Sequence, residues 1–365
     1  MASPNLFNHA EPYQMHRGGM LPEFQLAWES WGELSAARDN AILILTGMSP
    51  DAHAAASEDN PEPGWWDFMI GPGKPIDTNR WFVVCANSLG SCKGSTGPAS
   101  INPETGKPWA LGFPELSLED IAETTRLLLV HLEIEQLAAV VGPSMGGMTA
   151  LALCSRHPDL TRNLISISSA PHATPFAIAI RSLQREAIRC DPDFNGGAYH
   201  EGELPLKGMR IARKMGMLSY RSAKEWLARF GRDRITAERR DGGKPFEPEF
   251  EIESYLEAHA EKFINTFDPN CYLYLSRAMD WFDIGDYGVT VADALARLPL
   301  RRALVVGVET DVLFPIRQQR ELTDALRRGG TAVTLEELPS VQGHDAFLVD
   351  EDRFGPAVAN FLRTL

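Results

Sequence analysis

The chain is poor in cysteine, with five in 365 residues, and no two of them have C-x-x-C spacing. An odd number of scattered cysteines indicates free thiols in a reducing compartment rather than a disulfide framework. The sequence also lacks an apolar stretch long enough to cross a bilayer, and its N-terminus lacks the apolar segment of a signal peptide. We therefore expect a soluble, cytoplasmic protein without a membrane partner.

Positive charge is scarce, since 35 lysines and arginines against 49 acidic residues give a formal net charge of −14. Without a long basic run, this balance argues against a nucleic-acid partner, although a few arginines in one cleft can still bind an anionic small molecule. The nine histidines are scattered, with no H-E-x-x-H and no cysteine/histidine cluster at ligand spacing. A glycine-rich dinucleotide fingerprint is also missing. We expect neither a metal site nor a bound cofactor.

The sequence does contain short apolar and β-branched runs, separated by helical stretches. The predicted strands are Phe24 to Trp31, Ala41 to Leu45, Trp81 to Ala86, Ala138 to Val141, Leu164 to Ser168, Ala303 to Val308 and Thr331 to Leu335. Most of the later runs are continuously apolar, which is typical of strands buried on both faces by helices. The alternation of strands and helices predicts an α/β fold with a mostly parallel sheet flanked by helices.

One long segment, Pro175 to Asp286, has almost no β-branched run and carries helical patterns instead. It separates the fifth predicted strand from the sixth, so we interpret it as a helical lid inserted into the sheet domain. The predicted domains are a core of residues 1–174 and 287–365 and a lid of residues 175–286. Within the lid, Gly231 to Pro248 is polar and rich in glycine and proline, which predicts an exposed loop.

A G-x-S-x-G pattern occurs in Gly142-Pro143-Ser144-Met145-Gly146. An apolar run precedes it and a small-residue helical stretch follows it, so the serine lies at a strand-to-helix turn. Such a turn projects the hydroxyl above the sheet edge and places a helix N-terminus beneath any developing anion. The bare pattern is also common in ordinary turns, but in this context it predicts Ser144 as a nucleophile.

A nucleophilic serine on such a sheet needs an acid and a histidine that follow it in the chain, at the ends of later strands. Asp311 follows the run Ala303 to Val308, and His344 follows the last predicted strand. Alone, Asp311 would be interpreted as a turn cap and His344 as an ordinary loop residue. Their order and placement together predict a catalytic triad, in which His344 takes the serine proton and Asp311 holds the imidazole tautomer.

The anion formed by attack on an ester or thioester needs two backbone N–H donors. One is predicted to come from Met145, which directly follows the nucleophile. The other is predicted to come from Met48, in the loop Thr46-Gly47-Met48-Ser49 after the strand Ala41 to Leu45. Because loss of one such donor typically costs about 3–4 kcal/mol of transition-state stabilisation, the backbone geometry of this loop is expected to matter for activity.

Several longer motifs are spread along the chain. They are NSLGSCKGSTGPASINPETGKPW (Asn87 to Trp109), GPSMGGM (Gly142 to Met148), LQREAI (Leu183 to Ile188), GMRIARKMGMLSYRS (Gly208 to Ser222), YLEAHAEKF (Tyr255 to Phe263), FDPNCYLYLSRAMDWFD (Phe267 to Asp283) and GHDAFL (Gly343 to Leu348). Together they resemble the homoserine O-acyltransferase family of α/β-hydrolase-fold enzymes, over nearly the whole chain. The resemblance implies that fold with an inserted helical lid, and a homodimer formed through the lid.

The resemblance also implies a double displacement. An acyl-CoA thioester acylates the serine, CoA leaves, and an amino-acid hydroxyl attacks the resulting ester. Arg213 corresponds to the family's arginine for the amino acid's carboxylate, and Asp345 to its acid for the ammonium group; one fixed charge of each sign suits a zwitterion. From the residue pattern alone, Arg213 would be assigned to a solvated helix face and Asp345 to a helix cap.

Two departures from the common homoserine pattern concern the amino-acid acceptor. The elbow has Pro143 where the family usually has glycine, and the first-strand loop contains Met48-Ser49-Pro50. Pro143 has a local explanation, since proline pushes the preceding Gly142 toward extended backbone. Bulkier groups here would also shorten the pocket and favour serine over homoserine, a difference worth about 1–3 kcal/mol for one methylene. These features resemble the serine O-succinyltransferase branch, which supplies an activated serine for cysteine synthesis.

The acyl donor is indicated by a single residue. Arg181 stands where acetyl-using relatives carry a neutral residue, so we expect it either to pair with the free carboxylate of a succinyl group or to lie on the surface of a lid helix. Neighbouring Arg185 is interpreted as structural. The expected reaction is succinyl transfer from succinyl-CoA to L-serine. The alternatives are a homoserine O-acetyl- or O-succinyltransferase of methionine synthesis, the former using acetyl-CoA, and an esterase or thioesterase in which water intercepts the acyl-enzyme.

Overall fold

An eight-stranded sheet forms the centre of the molecule. The computed structural model describes residues 4–199, 203–236 and 246–365. The strands are β1 (Asn5–His9), β2 (Phe24–Trp31), β3 (Ala41–Leu45), β4 (Phe82–Ala86), β5 (Ala139–Pro143), β6 (Asn163–Ile167), β7 (Arg302–Val308) and β8 (Ala332–Leu338), in the spatial order β1-β2-β4-β3-β5-β6-β7-β8. The β1–β2 and β2–β4 pairs are antiparallel, and all later pairs are parallel.

All seven predicted strands are present, and the mostly parallel sheet is confirmed. The sequence pattern missed β1, in which Phe7 is the only buried side chain. Central strand β3 is buried throughout, because its alternate side chains enter two separate cores. Leu43 packs into the core beneath α1 and α2, whereas Ile42 packs on the opposite face with α11 residues such as Phe354.

Helices cover both faces of the sheet. They are α1 (Leu118–His131), α2 (Met145–Arg156), α3 (Pro175–Arg189), α4 (Leu206–Tyr220), α5 (Ala223–Phe230), α6 (Glu251–Ile264), α7 (Pro269–Trp281), α8 (Val291–Ala296), α9 (Ile316–Arg328), α10 (Ala346–Val349) and α11 (Glu351–Leu362). Ser117 caps the start of α1, and the Asp120 side chain completes a capping box. Helix α9 ends directly before Gly329.

In the described part of the chain, helices α3 to α7 and the short helix α8 lie between β6 and β7. Helix α3 packs on α4 and α7, and α4 packs on α6, so these helices support one another. The division into a core and a lid at residues 175–286 stays a prediction. Of the predicted loop Gly231 to Pro248, residues 237–245 lie outside the described residues. In the described part of the chain, no helix has both the length and the apolar character needed to cross a membrane.

Candidate active site

Ser144 lies in the sharp turn between the end of β5 and the start of α2. Its backbone has φ 55° and ψ −124°, a left-handed conformation that costs a non-glycine residue about 1–3 kcal/mol. Two hydrogen bonds hold the turn in place. The Ser144 N–H donates to the Ile167 carbonyl at 2.9 Å, and the Ser169 hydroxyl donates to the Ser144 carbonyl at 2.6 Å. Strand β6 and the loop after it therefore hold Ser144 in its strained conformation.

The two glycines of the elbow are required by the space around them. A Cβ on Gly142 would lie 2.2 Å from the Gly146 carbonyl oxygen, and a Cβ on Gly146 would lie 2.0 Å from the Leu45 carbonyl oxygen. Both neighbours are backbone atoms, which cannot move aside as a flexible side chain can. The G-x-S-x-G pattern thus allows the turn to pack tightly against β3.

The structure brings Ser144, His344 and Asp311 together, although they are far apart in the chain. His344 Nε2 lies 2.9 Å from Ser144 Oγ, and His344 Nδ1 lies 2.8 Å from an Asp311 carboxylate oxygen. All three residues are buried, and Ser144 is the most exposed at 8%. With Nδ1–H donating to the carboxylate, Nε2 is free to accept the serine proton.

The other oxygen of Asp311 fixes the orientation of its carboxylate. It accepts hydrogen bonds from the backbone N–H groups of Leu313 and Phe314, at 2.8 and 2.9 Å. The Phe314 ring also stacks on the His344 ring, with centroids 5.0 Å apart. The loop after β7 therefore positions both the acid and the face of the imidazole.

A second set of hydrogen bonds links the loop of the acid to the loop of the base. Thr310 Oγ1 donates to the Ser340 carbonyl at 2.8 Å and accepts from the Gly343 N–H at 3.1 Å. Gly343 has φ 68°, and a Cβ there would lie 2.8 Å from the Arg221 backbone. Glycine is thus needed directly before His344, where α4 ends and the loop after β8 passes close to it.

The predicted oxyanion donors lie on elements that meet at Ser144. Met145 is the first residue of α2, so its N–H has no acceptor within the helix. The loop after β3 lies against the nucleophile, because a Cβ on Gly47 would be 3.9 Å from the Ser144 Cβ. Met48 and Ser49 follow in this loop and are half-buried, and Pro50 packs back on Gly47.

Arg213 is half-buried on α4 and does not lie on a solvated helix face. Its guanidinium carbon lies 4.4 Å from the centre of the Phe263 ring and 5.6 Å from that of Tyr220. Its Nε is buried, and no residue in the described part of the chain gives it a hydrogen-bond partner. A buried guanidinium nitrogen without a partner is suited to an anionic ligand.

Asp345 follows His344 directly and forms no side-chain cap on α10. Its carboxylate lies 3.3 Å from the Arg221 guanidinium. Burial raises the pKa of the Asp345 carboxyl above its ordinary value, against the effect of the positively charged Arg221 and Arg213. A cation placed beside Asp345 would favour its ionised form.

Arg181 is buried, so the surface alternative for this residue is wrong. Its Nε donates to an Asp280 carboxylate oxygen at 2.6 Å, and Arg185 pairs with the other oxygen at 2.6 Å. Within the described residues, Arg181 Nη2 is buried without a hydrogen-bond partner. The carboxylate beside Arg181 is therefore that of Asp280, and Arg181 Nη2 remains available to a ligand.

Sequence reasoning missed two tyrosines near the base. The ring centres of Tyr220 and His344 are 6.2 Å apart, and the phenols of Tyr220 and Tyr272 are close enough to shift each other's pKa. Burial raises the pKa of both phenols, so both stay protonated. Each tyrosine lies in one of the family-like motifs, but nothing in the pattern indicated that α4 and α7 would bring them together.

The described residues contain no group of three or more His, Cys, Asp or Glu side chains placed to hold a metal ion. Acid, base and nucleophile are arranged as acyl transfer through a serine ester requires. The arrangement supplies what an ester or thioester needs for attack by a hydroxyl.

Comparison with known proteins places the chain among enzymes of this chemistry. The model of the α/β-hydrolase fold family matches residues 53–351. The crystal structure of a homoserine O-acetyltransferase from Bacillus anthracis superposes with a TM-score of 0.90 at 30% identity, covering 99% of this chain and 98% of that one. The chain belongs to the homoserine O-acyltransferase family of the α/β-hydrolase fold.

Within this acyltransferase family, the chain is 58% identical over 362 residues to a serine O-succinyltransferase from Xanthomonas campestris pv. campestris. The alignment covers 96% of this chain and 95% of the relative. A structure titled esterase E22 also superposes, with a TM-score of 0.89 at 28% identity over 99% of this chain and all of that one. The predicted fold, the predicted family and the prediction of an acyltransferase are confirmed.

Proposed function

We propose that this chain transfers a succinyl group from succinyl-CoA to the hydroxyl of L-serine, through an ester on Ser144. The observation that carries the proposal is the hydrogen-bonded series Ser144–His344–Asp311, in a chain that matches a serine O-succinyltransferase over nearly its full length. The product would be an activated serine. Acyl-CoA and the amino acid are substrates, and the chemistry requires no further cofactor.

In the first half-reaction, Ser144 Oγ attacks the thioester carbonyl while His344 Nε2 takes its proton. Asp311 stabilises the imidazolium that forms. The tetrahedral oxyanion accepts hydrogen bonds from the N–H groups of Met145 and Met48. The C–S bond then breaks, His344 returns the proton to the leaving sulfur, and CoA departs as a thiol.

In the second half-reaction, the hydroxyl of the amino acid attacks the succinyl ester. His344 now takes the proton of that hydroxyl and returns it to Ser144 Oγ as the ester bond to the enzyme breaks. The same oxyanion donors serve both halves. Transfer exceeds hydrolysis only if the amino acid is held where water would otherwise attack.

The proposed acceptor site uses Arg213 for the carboxylate and Asp345 for the ammonium group. Support comes from the buried, unpartnered Nε of Arg213 and from the place of Asp345 beside the base. Arg221 holds the Asp345 carboxylate from one side. The substrate ammonium would add a second cation and favour the ionised form of this acid.

The preference for serine over homoserine is proposed to come from Met48, Ser49, Pro50 and Pro143. Support comes from the loop after β3, which lies close to Ser144, and from Pro143, the last residue of β5. Since one methylene is worth about 1–3 kcal/mol, we expect homoserine to be a poorer acceptor rather than an inactive one.

For the donor, we assign Arg181 Nη2 to the free carboxylate of the succinyl group. The Nη2 atom is buried and unpartnered among the described residues, while Nε is held by Asp280.

We also assign the protein to the cytoplasm and to a homodimer. Support for the dimer comes from large apolar side chains that stay exposed on α3 and α4, namely Phe176, Leu183, Ile211 and Leu218.

The proposal is tested by following CoA thiol release with succinyl-CoA or acetyl-CoA, in the presence of serine, homoserine or no amino acid. We expect serine and succinyl-CoA to give the highest kcat/KM. A higher kcat/KM for homoserine would contradict the assigned acceptor.

The likeness to esterase E22 makes hydrolysis the second candidate. Rapid CoA release that does not depend on an amino acid would favour it.

Arg213→Ala is expected to raise the KM for serine by about 10- to 100-fold with a smaller change in kcat. The reason is that a hydrogen bond to a charged group is worth about 1.5–3 kcal/mol. Arg210→Ala, on the same helix, is the matched control, because Arg210 forms a partly exposed ion pair with Glu257. Steady-state kinetics check both variants, and an equal rise in KM for the two would contradict the assignment.

Arg181→Lys is expected to lower kcat/KM for succinyl-CoA about tenfold and to leave acetyl-CoA within about twofold. Lysine keeps one positive charge beside Asp280 but removes the free guanidinium nitrogen. Arg185→Lys is the matched control, since Arg185 pairs with the same carboxylate. If both variants lose activity equally with both donors, Arg181 has only a structural role.

A further inference from the structure

Two cysteine thiols meet where the loop after β4 contacts the start of α7. Cys92 is half-buried in the loop, and Cys271 is buried in the first turn of the helix. The backbone N–H of Asp268, the N-cap of α7, donates to Cys92 Sγ at 3.2 Å. The carboxylate of the same residue accepts a hydrogen bond from the Cys271 N–H at 2.9 Å. Both cysteines therefore contact the N-cap of α7, and each thiol shifts the pKa of the other.

These contacts give the two thiols different chemistry. The hydrogen bond from Cys271, followed by that from the Asp268 N–H, lowers the pKa of Cys92 below the ordinary value of a thiol. Burial, and then the hydrogen bond that it donates to Cys92, raises the pKa of Cys271 well above that value. A half-exposed thiol with a lowered pKa next to a buried thiol with a raised pKa is the arrangement of an attacking and a resolving cysteine.

We infer that Cys92 and Cys271 form a peroxide-reactive dithiol that closes to a disulfide between the loop after β4 and the first turn of α7. The Cys92 thiolate attacks one oxygen of a hydroperoxide, so an S–O bond forms, the O–O bond breaks, and the leaving oxygen departs as water or an alcohol after protonation. Cys271 then attacks the sulfenic sulfur. The S–S bond forms, the S–O bond breaks, and the proton of Cys271 leaves with the hydroxide as water. The two thiols lose two electrons to the peroxide.

The position of the pair links it to the candidate active site. Tyr272 follows Cys271 directly, and its phenol lies near that of Tyr220, whose ring is 6.2 Å from the His344 ring. On the other side, Ser88 lies in the same loop as Cys92 and shares a 3.1 Å hydrogen bond with Thr46, at the start of the loop after β3. Drawing the two sulfurs into bonding distance would shift elements that contact the base and the oxyanion loop.

The thiol chemistry is tested on the reduced full-length protein, without reference to its substrates. The protein is treated with hydrogen peroxide, remaining thiols are alkylated, and peptides are mapped by mass spectrometry with and without dithiothreitol. We expect a Cys92–Cys271 disulfide that dithiothreitol reverses. In Cys271→Ser, we expect Cys92 to stop at the sulfenic acid, which dimedone traps. Cys190 is exposed and is the control for a lone thiol. Oxidation of Cys190 with Cys92 and Cys271 unchanged would overturn the inference.

The link to the site is tested by activity, and this part depends on the proposed function. We expect peroxide to lower kcat several-fold and dithiothreitol to restore it. Cys92→Ser should keep the basal activity and lose the response to peroxide. If peroxide lowers kcat as much in Cys92→Ser as in the wild-type protein, the inactivation has another cause and the link is overturned. If neither protein transfers acyl groups, the function fails, while the disulfide mapping still decides the thiol chemistry.

Discussion

Ser144→Ala is expected to lower kcat for acyl transfer by about 10⁴- to 10⁶-fold. The nucleophile, base and acid act as a unit, so loss of the nucleophile removes nearly all the catalysis that the triad provides. The remaining rate would come from the oxyanion donors and substrate binding. CoA release and intact-protein mass spectrometry measure the effect, because the succinyl ester should accumulate on the wild-type protein without serine and be absent from the variant.

Three controls make this result specific to the triad. Ser182→Ala changes an exposed serine on α3 and should keep full activity. The double variant Ser144→Ala/His344→Ala should be about as slow as Ser144→Ala alone, since the two residues serve one proton transfer. The melting temperature of each variant shows whether it is folded. If folded Ser144→Ala retained its turnover, the nucleophile assignment would fail.

Gly146→Ala is expected to destabilise the protein by about 3 kcal/mol and to remove activity with it. The added Cβ would lie 2.0 Å from the Leu45 carbonyl oxygen, which belongs to a central strand. Either α2 or β3 must move. Helix α2 begins at Met145, and β3 leads directly into the loop that contains Met48. Urea unfolding measures the loss of stability, and the activity of the residual folded protein measures the loss of geometry.

Gly112→Ala provides the matched control for this substitution. A Cβ on Gly112 meets no atom within 4 Å, and the residue is exposed. Its free energy of unfolding should therefore change by less than about 0.5 kcal/mol. Equal stability of the Gly146 and Gly112 variants would show that the elbow tolerates a side chain, against the tight packing described for it.

The features that could be predicted from the sequence are those with local signals. Each buried strand is a short apolar run, so all seven predicted strands were found, whereas β1 buries only Phe7 and was missed. The arrangement of Ser144, Asp311 and His344 follows from a short motif and from the rule that parallel strands end at one edge of the sheet. The rule needs only the order of the strands along the chain, and the sequence provides that order.

The remaining features depend on contacts between distant helices, for which a single sequence carries no signal. The sequence predicts either a ligand contact or a surface position for Arg181, whereas the structure buries it in an ion pair with Asp280. The proximity of Tyr220 to Tyr272 likewise requires α4 to meet α7. The pairing of Cys92 with Cys271 depends on the packing of α7 against the loop after β4, which no periodicity reveals.

Helices α3 to α7, which lie between β6 and β7 in the chain, contain a different kind of functional residue from the sheet and its loops. Ser144, Asp311 and His344, which would make and break bonds, belong to the sheet and its loops, as do Asp345 and the Met48 loop proposed for the acceptor. Arg181 and Arg213, which would bind the two substrate carboxylates, belong to helices α3 and α4. Substitutions within one continuous stretch of sequence can thus change how these carboxylates are bound while the triad is preserved.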